Sequence, residues 1–287
     1  MGIVGCLITV VCVFGGFVLA GGHLHQMWQP YEIIIICGAA LGGFVLGNPF
    51  STVKMAFKYS IKALTSKGPS KSDYTELLQM MFQLFQLFRK DGPQAVEKHI
   101  ENPSTSEIFK AYPSFMKNHH AVHFMCDTMK ITLSADLSPY DVDDLLDQDI
   151  KAAHEEEHAA AHAVNTTAES FPGLGIVAAV MGVVHTMSLL DQGTEVVGMS
   201  VAAALVGTFM GVLLCYGFVG PCSSKMMKDF EAEGRYLMVI KAALIALQRG
   251  APPLVCVEYA RRSIFPEVRP SFEEMDAATK DAKKNAA

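Results

Sequence analysis

Charged residues are missing from four long windows of this chain, residues 1–31, 33–53, 170–190 and 196–224, which contain no Asp, Glu, Lys or Arg. Each can hold the ~20 apolar residues needed to cross a ~30 Å hydrocarbon core. The pattern predicts membrane helices near 3–21, 32–47, 172–190 and 199–219. A buried helix of a soluble core could explain one such window; four of them, all uncharged, argue for spans. The first window resembles a secretory signal at Leu19-Ala20-Gly21. Only Met1-Gly2 precedes its apolar run, without the basic region a signal needs, so it is read as an uncleaved span.

Between the windows the apolar residues take a helical period. Within 73–90 they fall at 77, 78, 81, 84, 85 and 88, one helix face. Gly92-Pro93 ends that helix and opens the next. Ser104-x-x-Glu107 and Ser271-x-x-Glu274 predict capping boxes. Ser138-Pro139 followed by Asp141, Asp143 and Asp144 predicts a helix start, because carboxylates favour the positive end of the dipole. That helix should run to about 169, towards the third span. A further helix over 225–249 is closed by Gly250 with Pro252 and Pro253 beyond it. No strand alternation and no solenoid repeat is evident. The expected fold is all-α: a polytopic membrane protein with four transmembrane helices and a large helical cytoplasmic domain. Its divisions are a first span at 1–22, an outer link at 23–31, a second span at 32–47 and a helical cytoplasmic domain at 48–170. A third span at 171–190, an outer link at 191–198, a fourth span at 199–221 and C-terminal cytoplasmic helices at 222–287 complete it.

Composition sharpens this picture. The four windows total 102 of 287 residues, so all 52 charges crowd into the other 185, an ordinary soluble density of about 28%. All 23 Lys and Arg lie in 54–151 and 225–284, and none lies in the short links. The excess of basic residues on one side predicts that both long segments, and both termini, are cytoplasmic. Glu32, Asp191 and Glu195 then remain outside. The formal net charge of −6 divides equally between the sides, and an acidic cytoplasmic part offers no footprint for nucleic acid. Seven cysteines without a C-x-x-C pair predict reduced thiols rather than a disulfide or zinc framework.

The chemistry-bearing candidates are few. His154-Glu155-Glu156-Glu157-His158 matches H-E-x-x-H, and His162 follows four residues on. The histidines share a helix face and could bind zinc with Glu155 as base. Their setting of Lys151, Glu156, Glu157 and alanines is that of a solvated acidic helix, so no metal centre is expected. Gly38/Gly42, Gly43/Gly47 and Ala203/Gly207/Gly211 form small-x-x-x-small rows that let helices approach in lipid, most of them inside the chain. An ion path normally needs a titratable group in the membrane. With Glu32 counted as outside, the spans hold no carboxylate, Lys or Arg, and His185 is their one such candidate, Cys and Tyr aside. Thr186, Ser188, Thr208 and Tyr216 add hydroxyls. Either the chain does not conduct, or a partner helix supplies the carboxylate. Pro172 and Pro221, at corresponding ends of the last two spans, read either as ordinary first-turn and helix-stop prolines or as a pair of hinges.

At these residues the chain resembles a known family. Residues Phe171-Pro172-Gly173-Leu174-Gly175-Ile176-Val177-Ala178-Ala179-Val180-Met181-Gly182-Val183-Val184-His185 look like the third-span signature of the MotA family of flagellar motor stator proteins. Tyr216-Gly217-Phe218-Val219-Gly220-Pro221 looks like its fourth-span end. Ile100-Glu101-Asn102-Pro103, Ala251-Pro252-Pro253 and Arg269-Pro270-Ser271-Phe272 match as well. The resemblance implies a non-enzymatic stator subunit of the bacterial inner membrane, without a cofactor, that conducts an ion together with MotB. MotB would bring the ion-binding aspartate and the anchor to peptidoglycan. A ring of five such chains would surround two MotB helices and push the rotor protein FliG. By the same resemblance Pro172 and Pro221 match the coupling prolines and Thr208 a threonine beside the ion path. Arg89 and Glu97 match the charged pair that meets the rotor. Thr186 departs from the small apolar residue of close relatives and bears on ion choice; the signature resembles the proton-driven type. TolQ- and ExbB-like energisers of envelope complexes are the alternative.

Overall fold

The structure, a computed structural model, describes residues 2–285, and helices joined by short turns and loops make up that length, with no strand among the described residues. In chain order the helices are α1 (Gly2–Leu19), α2 (Pro30–Gly47), α3 (Phe50–Thr65), α4 (Lys71–Asp91), α5 (Pro93–Glu101), α6 (Glu107–Lys110), α7 (Pro113–Lys117) and α8 (His119–Ser134). They continue as α9 (Pro139–Met187), α10 (Thr194–Leu213), α11 (Gly220–Gln248), α12 (Pro253–Ser263) and α13 (Phe272–Asn285). A six-residue π-helical segment, Leu214–Val219, joins α10 to α11.

Local chemistry explains most boundaries. Pro30, Pro93, Pro113 and Pro253 each occupy the first turn of a helix, where a missing N–H costs nothing. The box at Ser271 forms: the Ser271 N–H donates to Glu274 and the Glu274 N–H to the Ser271 hydroxyl. Ser138 and Asp141 make the same exchange and open α9. So do Ser70 and Asp73 at α4, a box that the pattern analysis did not anticipate. The box predicted at Ser104 does not form. Asn102 accepts the backbone N–H groups of Thr105 and Ser106, which closes a turn and moves the helix start two residues on. Ser106 becomes the cap, its hydroxyl accepting from the Phe109 N–H. Gly92 and Gly250 sit at φ +82° and +80°, where a side chain would be strained, and each ends a long helix.

Among the described residues, four helical stretches are long and apolar enough to cross a membrane: Gly2–Leu19, Leu24–Gly47, and parts of Pro139–Met187 and Thr194–Gln248. The third and fourth spans are therefore continuous with helices running well beyond a bilayer's thickness, rather than separate elements. By compactness the chain forms two units that do not follow the membrane boundary. The first comprises residues 1–66 and 155–230, the second 67–154 and 231–287. In the first unit α3 joins the spans through Ala56 and Ala63, in one cluster with Ala160, Ala161, Ala163, Val164, Met226 and Phe230. In the second, α4 is the hub, packed by α12, α13, α5 and α7. Tyr74, Leu77, Leu78, Met80, Met81, Leu84 and Phe85 are buried there, and each large side chain removed from water stabilises by roughly 1.5–3 kcal/mol.

Ion pairs stitch the second unit. Lys241 Nζ donates to Asp143 at 2.8 Å and to Asp147 at 2.6 Å. Burial works against its ammonium, but the two aspartates outweigh it and push the Lys241 pKa up. Glu258 accepts from Arg261 and Arg262, which pull its carboxyl down to about 2 against the opposing effect of burial. Burial pushes the thiols of Cys126 and Cys256 up to about 12 and about 11, so neither is a ready nucleophile.

Candidate ion path and coupling residues

In the first unit α2, α9 and α10 meet face to face through small residues. On α9, a Cβ added to Gly175 would come within 2.9 Å of the Gly207 carbonyl oxygen. On α10, a Cβ on Gly211 would lie 2.5 Å from the Phe171 carbonyl oxygen. Backbones approach this closely only because neither position carries a side chain. The glycine rows of α2 behave differently. At Gly38, Gly42, Gly43 and Gly47 an added Cβ meets nothing within 4 Å. That row faces away from the chain's own helices, contrary to the expectation that most of these glycines pack internally.

Thr186 is fully buried, and its hydroxyl donates to the Gly182 carbonyl at 2.8 Å. Its proton is thus committed to its own helix, while its oxygen lone pairs stay available. Thr208 is half-buried, with its Cα against Gly175. His185, adjacent to Thr186, is exposed, about 100° further round α9. Pro172 is held inside α9 and half-buried, one residue after the buried Phe171. Pro221 is exposed and follows the π-helical segment, in which the Gly220 N–H reaches back five residues to the Cys215 carbonyl. A proline has no N–H for the usual i−4 bond and its ring crowds that carbonyl, so the widened turn relieves both. Pro221 also lines a cavity of about 570 Å³ with Tyr216, Asn165, Glu169, Lys225 and Lys228. Charged side chains thus stand at one edge of a mostly apolar pocket beside the end of the fourth apolar stretch. π-Bulges concentrate at functional sites, which makes this stretch a candidate joint.

In the second unit Arg89 and Glu97 are both exposed, on either side of the Gly92 turn. They differ in freedom. Arg89 donates to the carbonyls of Gly250 and Ala251, at 3.3 Å for the latter, and so ties the end of α4 to the end of α11. Its charge also neutralises the negative end of the α11 dipole. Among the described residues no group of three or more His, Cys, Asp or Glu side chains is arranged to hold a metal ion, and the structure does not bring His154, Glu155, His158 and His162 into such a group.

One residue overturns the expected layout. Glu32 does not point to water but lies on the buried stripe of α2 with Ile36, Ala40 and Phe44, within the Leu24–Gly47 stretch that is long and apolar enough to cross a membrane. One of the four candidate spans therefore includes a carboxylate that is turned towards the other helices. The uncharged windows on both sides made Glu32 look like a boundary. Pro30 was the missed signal: a first-turn proline starts the helix two residues earlier and puts Glu32 four residues before Ile36, on the same face.

Comparison with known proteins follows the same lines. The family model for the motility protein A N-terminal region matches residues 3–92, and that for the MotA/TolQ/ExbB proton channel family matches residues 116–236. Motility protein A of Salmonella typhimurium is 33% identical over 274 residues, 96% of this chain and 93% of the relative. Chemotaxis protein LafT of Vibrio parahaemolyticus is 35% identical over 274 residues, 95% of each chain. Among solved structures the fold is similar to that of a C. jejuni MotAB chain, with TM-score 0.79 at 19% identity over 94% of this chain and 98% of that one. It is also similar to a chain of the flagellar MotAB stator complex from Bacillus subtilis, with TM-score 0.72 at 21% identity over 99% and 98%.

Proposed function

The chain belongs to the motility protein A group of the MotA/TolQ/ExbB proton channel family, and from that premise we propose that it is a stator subunit of the bacterial flagellar motor. The observation that carries this reading is the similarity to motility protein A along almost the whole length, spans and aqueous helices alike. A TolQ- or ExbB-like energiser is the less favoured reading, because the first 92 residues match the motility-specific region. The subunit sits in the inner membrane with its basic segments and both termini on the cytoplasmic side. It assembles as a ring, five copies around two MotB helices, and MotB supplies the aspartate on which the ion binds. The ion is a proton.

The residue roles are those the resemblance implies, and the geometry supports them as follows. Thr208 and Thr186 stand on the two helices that pack through Gly175, Gly207 and Gly211, where a hydroxyl can solvate a passing ion at low cost. Pro172 and Pro221 interrupt the hydrogen-bond ladders of α9 and the α10–α11 run, where a small change in the membrane can become a bend in the aqueous helices. Arg89 and Glu97 present opposite charges beside one turn, which suits steering of a charged partner such as FliG.

The test is complementation. A motile bacterium lacking its own stator genes, given this chain with its neighbouring MotB-like protein, should swim. Pro172→Ala and Arg89→Glu should each abolish swimming while leaving the flagella assembled. Full swimming in both variants sinks the residue roles. Copurification of a TolR- or ExbD-like single-span protein, instead of a peptidoglycan-binding one, sinks the stator reading itself. Speed that follows sodium and survives a protonophore would replace the proton with sodium.

A further inference from the structure

The carboxyl of Glu32 occupies a hole that two glycines on two other helices make for it. A Cβ on Gly207 would stand 2.8 Å from its Oε2, and one on Gly182 3.4 Å from its Oε1. Ala204 sits over Gly182 and completes the wall on the α10 side. The residue is only 9% exposed, and Oε2 is buried with no hydrogen-bond partner. The hole thus fits the shape of a carboxyl group but offers no donor to a charged one.

An acidic residue in a first helical turn ordinarily points to water and gains from the dipole. Glu32 instead faces inward, where an unpaired charge is costly, so its burial needs a neutralising species. Its Oε2 has no hydrogen-bond partner, and the imidazoles of His23 and His25, in the outer link that packs against α10, are exposed. On α2 itself the nearest titratable groups are Tyr31, which is exposed, and Cys37, one turn beyond. The apolar part of α9 offers only His185, which is exposed, and α10 only Glu195, exposed and of the same sign as a carboxylate at Glu32. The Thr186 hydroxyl, one turn from Gly182, has given its proton to the Gly182 carbonyl and cannot donate to an anion.

We propose that Glu32 is a second proton-binding carboxyl of the ion path, contributed by this chain and loaded from the outer face. A proton from the outer aqueous phase bonds to Oε2 and leaves a neutral acid that fits between Gly182 and Gly207. Its release to an acceptor deeper in the path returns the carboxylate, which is no longer favoured in the hole. The position fits loading from outside, because Glu32 follows the short Leu24–Met27 turn that links the first two spans. The proposal rests on the stator reading and changes one of its terms. The partner's carboxylate is then not the only one the ion meets.

The experiment uses the full complex in the complementation strain. Glu32→Gln keeps the shape and removes the titration. Speed under load is expected to fall severalfold in E32Q and to lose its dependence on external pH, with E32D recovering part of both. The yield and detergent stability of the purified complex should stay at wild-type level. A purely structural Glu32 predicts the reverse: E32Q, as a good shape mimic, swims like wild type at every pH, and that result overturns the proposal. Infrared spectroscopy with isotope-labelled glutamate gives a second readout on the wild-type complex, should E32Q fail to accumulate. A carbonyl band of a protonated, weakly bonded carboxylic acid at neutral pH supports the role, and its absence overturns it. If the wild-type chain itself fails to restore swimming, the stator reading falls and takes the role of Glu32 with it. If wild type swims and E32Q is indistinguishable from it, the role of Glu32 falls alone.

Discussion

Where α9 meets α10 in the first unit, helices touch where side chains are missing; around α4 in the second, they touch where side chains are largest. The contacts of α9 with α10 run through Gly175, Gly182, Ala204, Gly207 and Gly211. The core around α4 is built from Tyr74, Phe82, Phe85, Phe109 and Phe115 with methionines and leucines. The physics differs accordingly. Lipid tails are as apolar as leucine, so burying a large side chain between membrane helices gains little, and close backbone packing has to supply the contact. Water rewards burial of apolar area, so aqueous helices bring bulk to their interface. Polar chemistry divides the same way. The second unit pairs its buried charges, as Lys241 and Glu258 illustrate, whereas the first leaves Glu32 without a partner.

The comparison can be broken most sharply at Gly211. Gly211→Val places carbon atoms where the Phe171 carbonyl now sits and should prise α9 from α10, abolishing swimming and lowering the yield of assembled complex. Normal yield and speed would show that the close approach is dispensable. In the second unit the equivalent injury is a cavity. Phe85→Ala should cost about 3–5 kcal/mol, seen as a lower unfolding midpoint of the cytoplasmic helices by limited proteolysis across a temperature series. Gly38→Ala, on the outward row of α2, serves as the control within the chain and should leave its fold intact.

Smaller effects test the charges. Removing both aspartates, Asp143→Asn with Asp147→Asn, strands a Lys241 whose side chain is 12% exposed, and about 1–2 kcal/mol of stability should go. Arg89→Ala should cost about 1 kcal/mol through its lost bonds to Gly250 and Ala251, whereas Glu97→Ala should cost none. Thermal melts of the purified complex separate the two. A pH profile tests the Glu258 cluster. The folded-state carboxyl of Glu258 is depressed to about 2 from 4.5, so its contribution is present above pH 4.5 and is lost as pH falls towards 2. Glu258→Gln should flatten the stability curve over that interval alone.

Much of this was legible in the pattern. The uncharged windows located the spans, because hydropathy sums over single residues. The α4 face at 77, 78, 81, 84 and 85 is the face that is buried, because helical period is a local property. Ser271 and Ser138 cap where expected, whereas Ser104 does not, because a competing turn at Asn102 depends on geometry that a four-residue motif leaves open.

What the amino-acid order determined by itself was the all-α class, the four apolar stretches, the asymmetry of Lys and Arg, and the family. Each is a property of single residues or of neighbours along one helix. Only the tertiary structure decided that Glu32 turns inward, that the α2 glycines face outward, and that Arg89 is tied to the end of another helix. These are facts about pairs. A carboxyl fits between Gly182 and Gly207 because three helices far apart in the chain bring empty positions together, and a local pattern does not encode such a coincidence.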